Sequence, residues 1–161
     1  MRALLNCCCG VDVQDEMIQT CILKGLEDEP ETIHKQFGTK QNDLKDFAEY
    51  LSKYECSAIA MESTGVYWRP VYEVVENNCS HVKNIIVTNA AHMRNVPGRK
   101  DDEGDAEWIA TLLRHGLLEP SFIPERIFRN LREASRLYKK VRWRKMPLYE
   151  PNHEAFAGTW V

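Results

Sequence analysis

Apolar and polar positions along this chain change period several times, and each change marks an element. Residues 3–13, 17–24 and 32–38 are short apolar runs, the first two separated by a polar turn around Gln14 to Glu16, the pattern of strands joined as an antiparallel meander. From about 40 to 54 the period becomes helical: Leu44, Phe47, Ala48 and Leu51 share one face, with Thr39 as the expected cap. A short apolar strand is expected at 57–62. The turn Ser63-Thr64-Gly65 then leads into a helix at about 68–77, with Pro70 in its first turn and Val71, Val74 and Val75 inward. A strand at 83–89 follows. A loop with Pro97 and Gly98 precedes a helix over 102–115, ended by Gly116 and carrying Ile109, Leu112 and Leu113 as its apolar stripe. Strands that alternate with helices imply parallel neighbours.

Composition changes this picture little, and charge changes it more. With 161 residues, 43% hydrophobic and 28% charged, the chain suits one domain with a sizeable core and not a disordered segment. No apolar run approaches the ~18 residues of a membrane span. The start MRALLNCCCGVDVQDE lacks a signal-peptide cleavage pattern, so a cytoplasmic protein with no membrane partner is expected. Six cysteines, three of them consecutive at Cys7, Cys8 and Cys9, show neither a disulfide framework nor a C-x-x-C zinc pattern and read as buried reduced thiols. The histidines His34, His81, His92, His115 and His153 are scattered without ligand spacing and receive no chemistry.

The net charge of −3 hides an asymmetry: residues 1–124 hold 12 Lys+Arg against 20 Asp+Glu, whereas residues 125–145 hold 9 against 2. In that basic block Arg126, Arg129, Arg132, Arg136, Lys139 and Lys140 interleave with Ile127, Leu131, Leu137 and Val141, which fits an amphipathic helix. A face so basic attracts phosphate backbones, although charge alone serves a solvated face or a partner-binding helix equally well.

Four acids carry the candidate chemistry. Asp12 interrupts the strand-like CCCGVDV, Glu62 closes the apolar SAIAME, and Asp102 and Asp105 stand i, i+3 in GRKDDEGDAEWIA. A charge within or ending a β-type run is costly to bury without a partner, and the two helical acids lie near the stripe expected to face inward. At about 4 Å and an effective dielectric near 20, neighbouring carboxylates repel by roughly 4 kcal/mol, so convergence of the four calls for a divalent cation. Mg²⁺ or Mn²⁺, hard ions that take carboxylate and water oxygens, is the expected choice. Two such ions would clamp the attacking and leaving oxygens of an in-line phosphodiester displacement. Arg99 and Lys100, just before Asp102, are placed for phosphate contact. Ser63, Thr64 and Gly65 suit either a phosphate at the next helix start or simply a tight turn. Tyr67 and Trp68 suit base stacking, but such a pair more often forms core.

The element order βββαβαβα is that of the ribonuclease H-like fold, an α/β class with a mixed sheet and flanking helices, here followed by a basic helix. The segments CGVDV, MESTGVYWRP and VPGRKDDEGDAEWIATLLRHG, with the Ile123-Pro124-Glu125 stretch after them, resemble the DEDD-type insertion-sequence transposases, the family called one-ten, and their pilin-inverting relatives. The resemblance spans about residues 8–140. It implies a RuvC-like domain whose catalytic, metal-binding acids correspond to Asp12, Glu62, Asp102 and Asp105. It further implies action on DNA, homo-oligomers and, in at least some members, a structured guide RNA.

The same resemblance implies continuation through a coiled coil into a second domain bearing a nucleophilic serine. After Lys140 the chain loses helical periodicity, carries Pro147 and Pro151 and departs from the family. The expected organisation is therefore a RuvC-like domain at 1–124, a basic helix at 125–145 and a non-family tail at 146–161, a truncated copy without the serine domain. Asp101 also departs from the family's context, where Thr or Ser is expected. An extra acid there would alter metal affinity or face solvent. The function expected is that of a transposase catalytic domain. The alternatives are a nucleic-acid-binding remnant without catalysis and a self-contained RuvC-like junction nuclease.

Overall fold

The computed structural model describes residues 3–26, 29–63, 65–89, 93 and 104–145, with side chains described up to residue 142. Strands β1 (Cys7–Val13), β2 (Met17–Lys24), β3 (Glu31–Gly38), β4 (Ala58–Glu62) and β5 (Asn84–Thr88) form one sheet in the order β3-β2-β1-β4-β5. β1, β2 and β3 pair antiparallel, whereas β1, β4 and β5 pair parallel. Helices α1 (Gln41–Lys53), α2 (Trp68–Asn78), α3 (Asp105–Arg114) and α4 (Arg126–Lys145) complete the described elements. An antiparallel meander on one side of β1 and two parallel strands on the other is the ribonuclease H-like arrangement that the sequence pattern predicts.

Alternation along the central strand shows how the layers form. Cys8 Sγ lies 3.7 Å from the Ala110 carbonyl of α3, whereas Cys7 Sγ lies 3.3 Å from the Tyr54 carbonyl at the end of α1. Successive strand residues point to opposite faces, so Cys8, Gly10 and Asp12 look toward α3 and Cys7, Cys9 and Val11 toward α1. With both faces covered, β1 is buried along nearly its whole length. On the α3 face, Ala106, Ile109, Ala110 and Leu113 pack with Cys8, Cys21, Ala58 and Ala60. On the other, Phe37 of β3 sets its ring 5.4 Å from Phe47 and 5.3 Å from Tyr50 of α1. All six cysteines are buried thiols outside any disulfide, as the sequence led us to expect. Burial pushes the Cys8 thiol up to about 12 and the Cys9 thiol well above its ordinary value, so both stay protonated.

Some boundaries differ from expectation, each for a local reason. The first strand begins at Cys7, not residue 3, because the Leu4 N–H is taken by the Arg114 carbonyl at the end of α3. Thr39 does not cap α1: its hydroxyl donates to the Asp15 carbonyl at 3.0 Å, and Lys40 occupies the cap with its N–H donating to Asp43 Oδ2. Val74 is half-buried, while Val71 and Val75 are buried as expected. Gly116 does end α3, at φ +68°, with its N–H on the Leu113 carbonyl and that of Leu117 on Leu112. Residues 1–122 form one compact unit and 123–161, containing α4, a second. Among the described residues no helix is long and apolar enough to cross a membrane.

Candidate functional site

Asp12 lies one residue before the end of β1, on the α3 face, half-buried, with Oδ2 accepting a hydrogen bond from Gln14 Nε2 at 3.1 Å. The parallel register between β1 and β4 runs from Cys8↔Ala58 to Val11↔Met61. One further step sets Asp12 beside Glu62, the half-buried last residue of β4. Parallel strands end at a common edge, so two acids far apart in sequence become neighbours in position through topology alone. Glu62 is in turn opposite the buried Thr88 of β5, whose carbonyl accepts from the Ser63 N–H at 2.8 Å.

Asp105 reaches the same edge by way of Gly10. A Cβ at Gly10 would collide with the Ala106 carbonyl and the Ala110 amide, so α3 crosses β1 at the closest approach that backbones permit. From there the helix runs back along β1, past Cys8 at Ala110 to Leu4 at Arg114. Its N-terminal turn therefore stands at the Asp12 end. Asp105 itself is exposed, contrary to the inward direction expected of it: Ala106, Ile109, Ala110 and Leu113 take the sheet-facing stripe, and Asp105 precedes that stripe by about 100°. Asp102, Asp101, Arg99 and Lys100 lie outside the described residues.

The oxygens of Asp12, Glu62 and Asp105 share an edge without forming a group within 4.8 Å of one another. Among the described residues the ligand-type side chains that do converge so closely are Cys21, His34 and Glu107, a set the sequence reading did not find. Spacing gives no sign of it. The signal lay in the β2–β3 hairpin, whose register sets Cys21 opposite His34.

Around the edge, Tyr67 is 41% exposed and Trp68 half-buried, so this pair is not core as its setting suggested. The Trp68 ring packs edge-on to Tyr72, with the Arg69 guanidinium 5.9 Å from its centroid. Gly65 takes φ +56° in the turn after β4, a conformation suited to glycine.

In the second unit, α4 separates charge from apolar surface. At about 100° per residue, Arg126, Arg129, Arg132, Arg136, Lys139 and Lys140 occupy one arc. Ile127, Leu131, Tyr138 and Val141 take the opposite one, each at least half exposed. Arg129 also donates from Nη1 to the Pro124 carbonyl at 3.0 Å.

A family model described as a DEDD-type IS110 transposase matches residues 9–146. No curated protein matches the chain. Among solved structures, RuvC of Thermus thermophilus is similar at 12% identity and TM-score 0.48, covering 71% of this chain and 99% of its own. The fowlpox virus resolvase, solved with substrate Holliday junction DNA, is similar at 14% identity and TM-score 0.45, covering 69% and 97%.

Proposed function

The chain belongs to the DEDD-type IS110 transposase family, and from that premise we propose that residues 1–124 are a catalytic domain acting on DNA phosphodiester bonds with a divalent metal ion. Asp12, Glu62, Asp102 and Asp105 would hold the ion. The observation that carries this reading is the common edge reached by Asp12, Glu62 and the first turn of α3, fixed by the β1–β4 register and the contact at Gly10. The donor set fits the ion: all its atoms are carboxylate oxygens, which suit Mg²⁺ or Mn²⁺ over softer metals.

When bound, such an ion polarises the phosphoryl oxygen and lowers the pKa of an attacking hydroxyl or water. The chain's own residues do the rest. Gln14 donates to Oδ2 of Asp12 and so restrains the carboxylate that would take part in holding the ion. Glu62 ends a buried strand and so is positioned by the core. The basic arc of α4, with Arg99 and Lys100, holds phosphate backbone, of DNA and of a structured guide RNA, by charge rather than by base contacts.

The test is the response to metal. Mg²⁺ or Mn²⁺ should raise the melting temperature of the full chain, and Asp12→Asn should melt higher without metal, through relieved repulsion, while losing most of that rise. With labelled branched DNA and Mn²⁺, slow nicking that Asp12→Asn abolishes is expected. A variant as metal-responsive as the parent sinks the assignment, and nucleic-acid binding without any metal effect supports a non-catalytic binding role instead.

A further inference from the structure

A second set of ligand-type side chains stands on the antiparallel half of the sheet. Cys21 and His34 are directly opposed in the β2–β3 ladder, so their side chains rise from the same face. That face lies under α3, because the other partner of Cys21 is Gly10, against which Ala106 and Ala110 pack. Glu107, in the first turn of α3, closes the corner: its Oε2 lies 3.1 Å from His34 Nε2. One donor atom from each of the three residues lies within 4.8 Å of the other two. We propose that the Cys21 thiolate, the His34 imidazole and the Glu107 carboxylate form a binding site for a borderline-soft divalent transition metal, zinc by chemistry, separate from the carboxylate edge.

Donor chemistry and geometry both favour this. Thiolate and imidazole select zinc over magnesium or manganese, whereas an all-oxygen set does the reverse. Tetrahedral zinc, with bonds near 2.3 Å to sulfur and 2.0–2.2 Å to nitrogen and oxygen, spaces its ligand atoms roughly 3.3–3.6 Å apart. The His34–Glu107 contact at 3.1 Å already has nearly that spacing. Cys21 Sγ lies within 4.8 Å of both partners, so reaching that spacing asks for a movement of at most about 1.5 Å, which the His34 side chain, 57% exposed, has the freedom to make.

Burial grades across the site, from Cys21 in the core through half-buried Glu107 to exposed His34. A pocket of about 370 Å³, lined in part by Thr20, His34, Gln36, Gly104 and Glu107, opens over it. Metal thus has an entry path, and the fourth position falls to water from that pocket. Binding expels the thiol proton and ties β2 and β3 to the first turn of α3, the turn that also carries Asp105. Without the sulfur, His34 and Glu107 would be an ordinary surface ion pair, worth less than about 1 kcal/mol.

Cobalt(II) titration of the reduced, metal-free full chain tests the site, because cobalt reports thiolate ligation by a charge-transfer band and tetrahedral geometry by intense d–d bands. A saturable signal that stoichiometric Zn²⁺ removes and excess Mg²⁺ leaves is expected. His34→Ala and Glu107→Gln, at positions that leave the core intact, should weaken Co²⁺ binding by about 100-fold or more, beyond the loss usual for outer-shell partners. Cys21→Ser should abolish the charge-transfer band, and if it fails to fold the other two variants decide. Asp12→Asn should keep the full signal, which separates this site from the carboxylate edge. Absence of a thiolate band, or a band that survives both His34→Ala and Glu107→Gln, overturns the proposal. The latter result would point to other thiols, such as Cys7 and Cys56, whose sulfurs lie 3.5 Å apart.

Discussion

The two halves of the sheet gather chemistry in different ways. On the parallel side, Asp12 and Glu62 come to one edge because neighbouring strands end together, although they stand 50 positions apart in the chain. On the antiparallel side, Cys21 meets His34 because a hairpin register opposes them, 13 positions apart in the chain. The first arrangement presents hard oxygens at an open edge, the second a soft donor set at a partly buried corner. Helix α3 serves both, offering Asp105 to one and Glu107 to the other. Its seat on Gly10 is therefore the element on which the comparison turns.

The largest effect should come from breaking that seat. Gly10→Val places side-chain atoms against the backbone of Ala106 and Ala110, which cannot rotate aside, and should cost about 3 kcal/mol or more, at the upper end of overpacking penalties. Both metal responses should be lost with it. A urea midpoint within experimental error of the parent would show that α3 is not held there. Next in size is Asp12→Asn, which should remove the ~2.7 kcal/mol that metal at 100 times its dissociation constant contributes, while leaving cobalt binding at Cys21 intact. Differential scanning calorimetry with Mg²⁺ checks it, and simultaneous loss of both responses would merge the two sites into one.

Smaller effects belong to α4. Replacing Arg132 and Arg136 by Gln should weaken DNA binding and lower its salt slope by about one unit for each phosphate contact removed, measured by fluorescence anisotropy between low and moderate salt. An unchanged slope would assign that arc to solvent. The smallest is Leu131→Ser: the side chain is 60% exposed, so unfolding free energy should move by less than about 0.5 kcal/mol. A larger loss in denaturant titration would mean that this face is covered in solution.

Much of the fold was legible because its signals are periodic. Short apolar runs marked every strand of the sheet, and the switch to helical spacing at Leu44, Phe47 and Leu51 marked α1. The acids were legible because charge is out of place in such runs, as at Asp12 and Glu62. What periodicity could not supply was phase and register. Asp105 was expected inward, yet Ala106 and Ala110, small enough for close approach, take that face. Cys21, His34 and Glu107 carry no motif, since the corner exists only once β2 is registered against β3 and α3 is laid across them. Counting outward from the Lys24↔Glu31 pair at the hairpin turn would have opposed Cys21 to His34. Thr39 was read as a cap from its type alone, and its hydroxyl was already engaged by Asp15.

The central claim, that the acids of the parallel edge hold a hard divalent cation, is tested most directly by anomalous scattering from crystals equilibrated with Mn²⁺. A manganese peak between the carboxylates of Asp12 and Glu62, within the roughly 2.0–2.6 Å of a bond to oxygen and absent from Asp12→Asn crystals, is the expected result. A crystal saturated with Mn²⁺ that shows no peak at this edge, or one only at Cys21, His34 and Glu107, would contradict it.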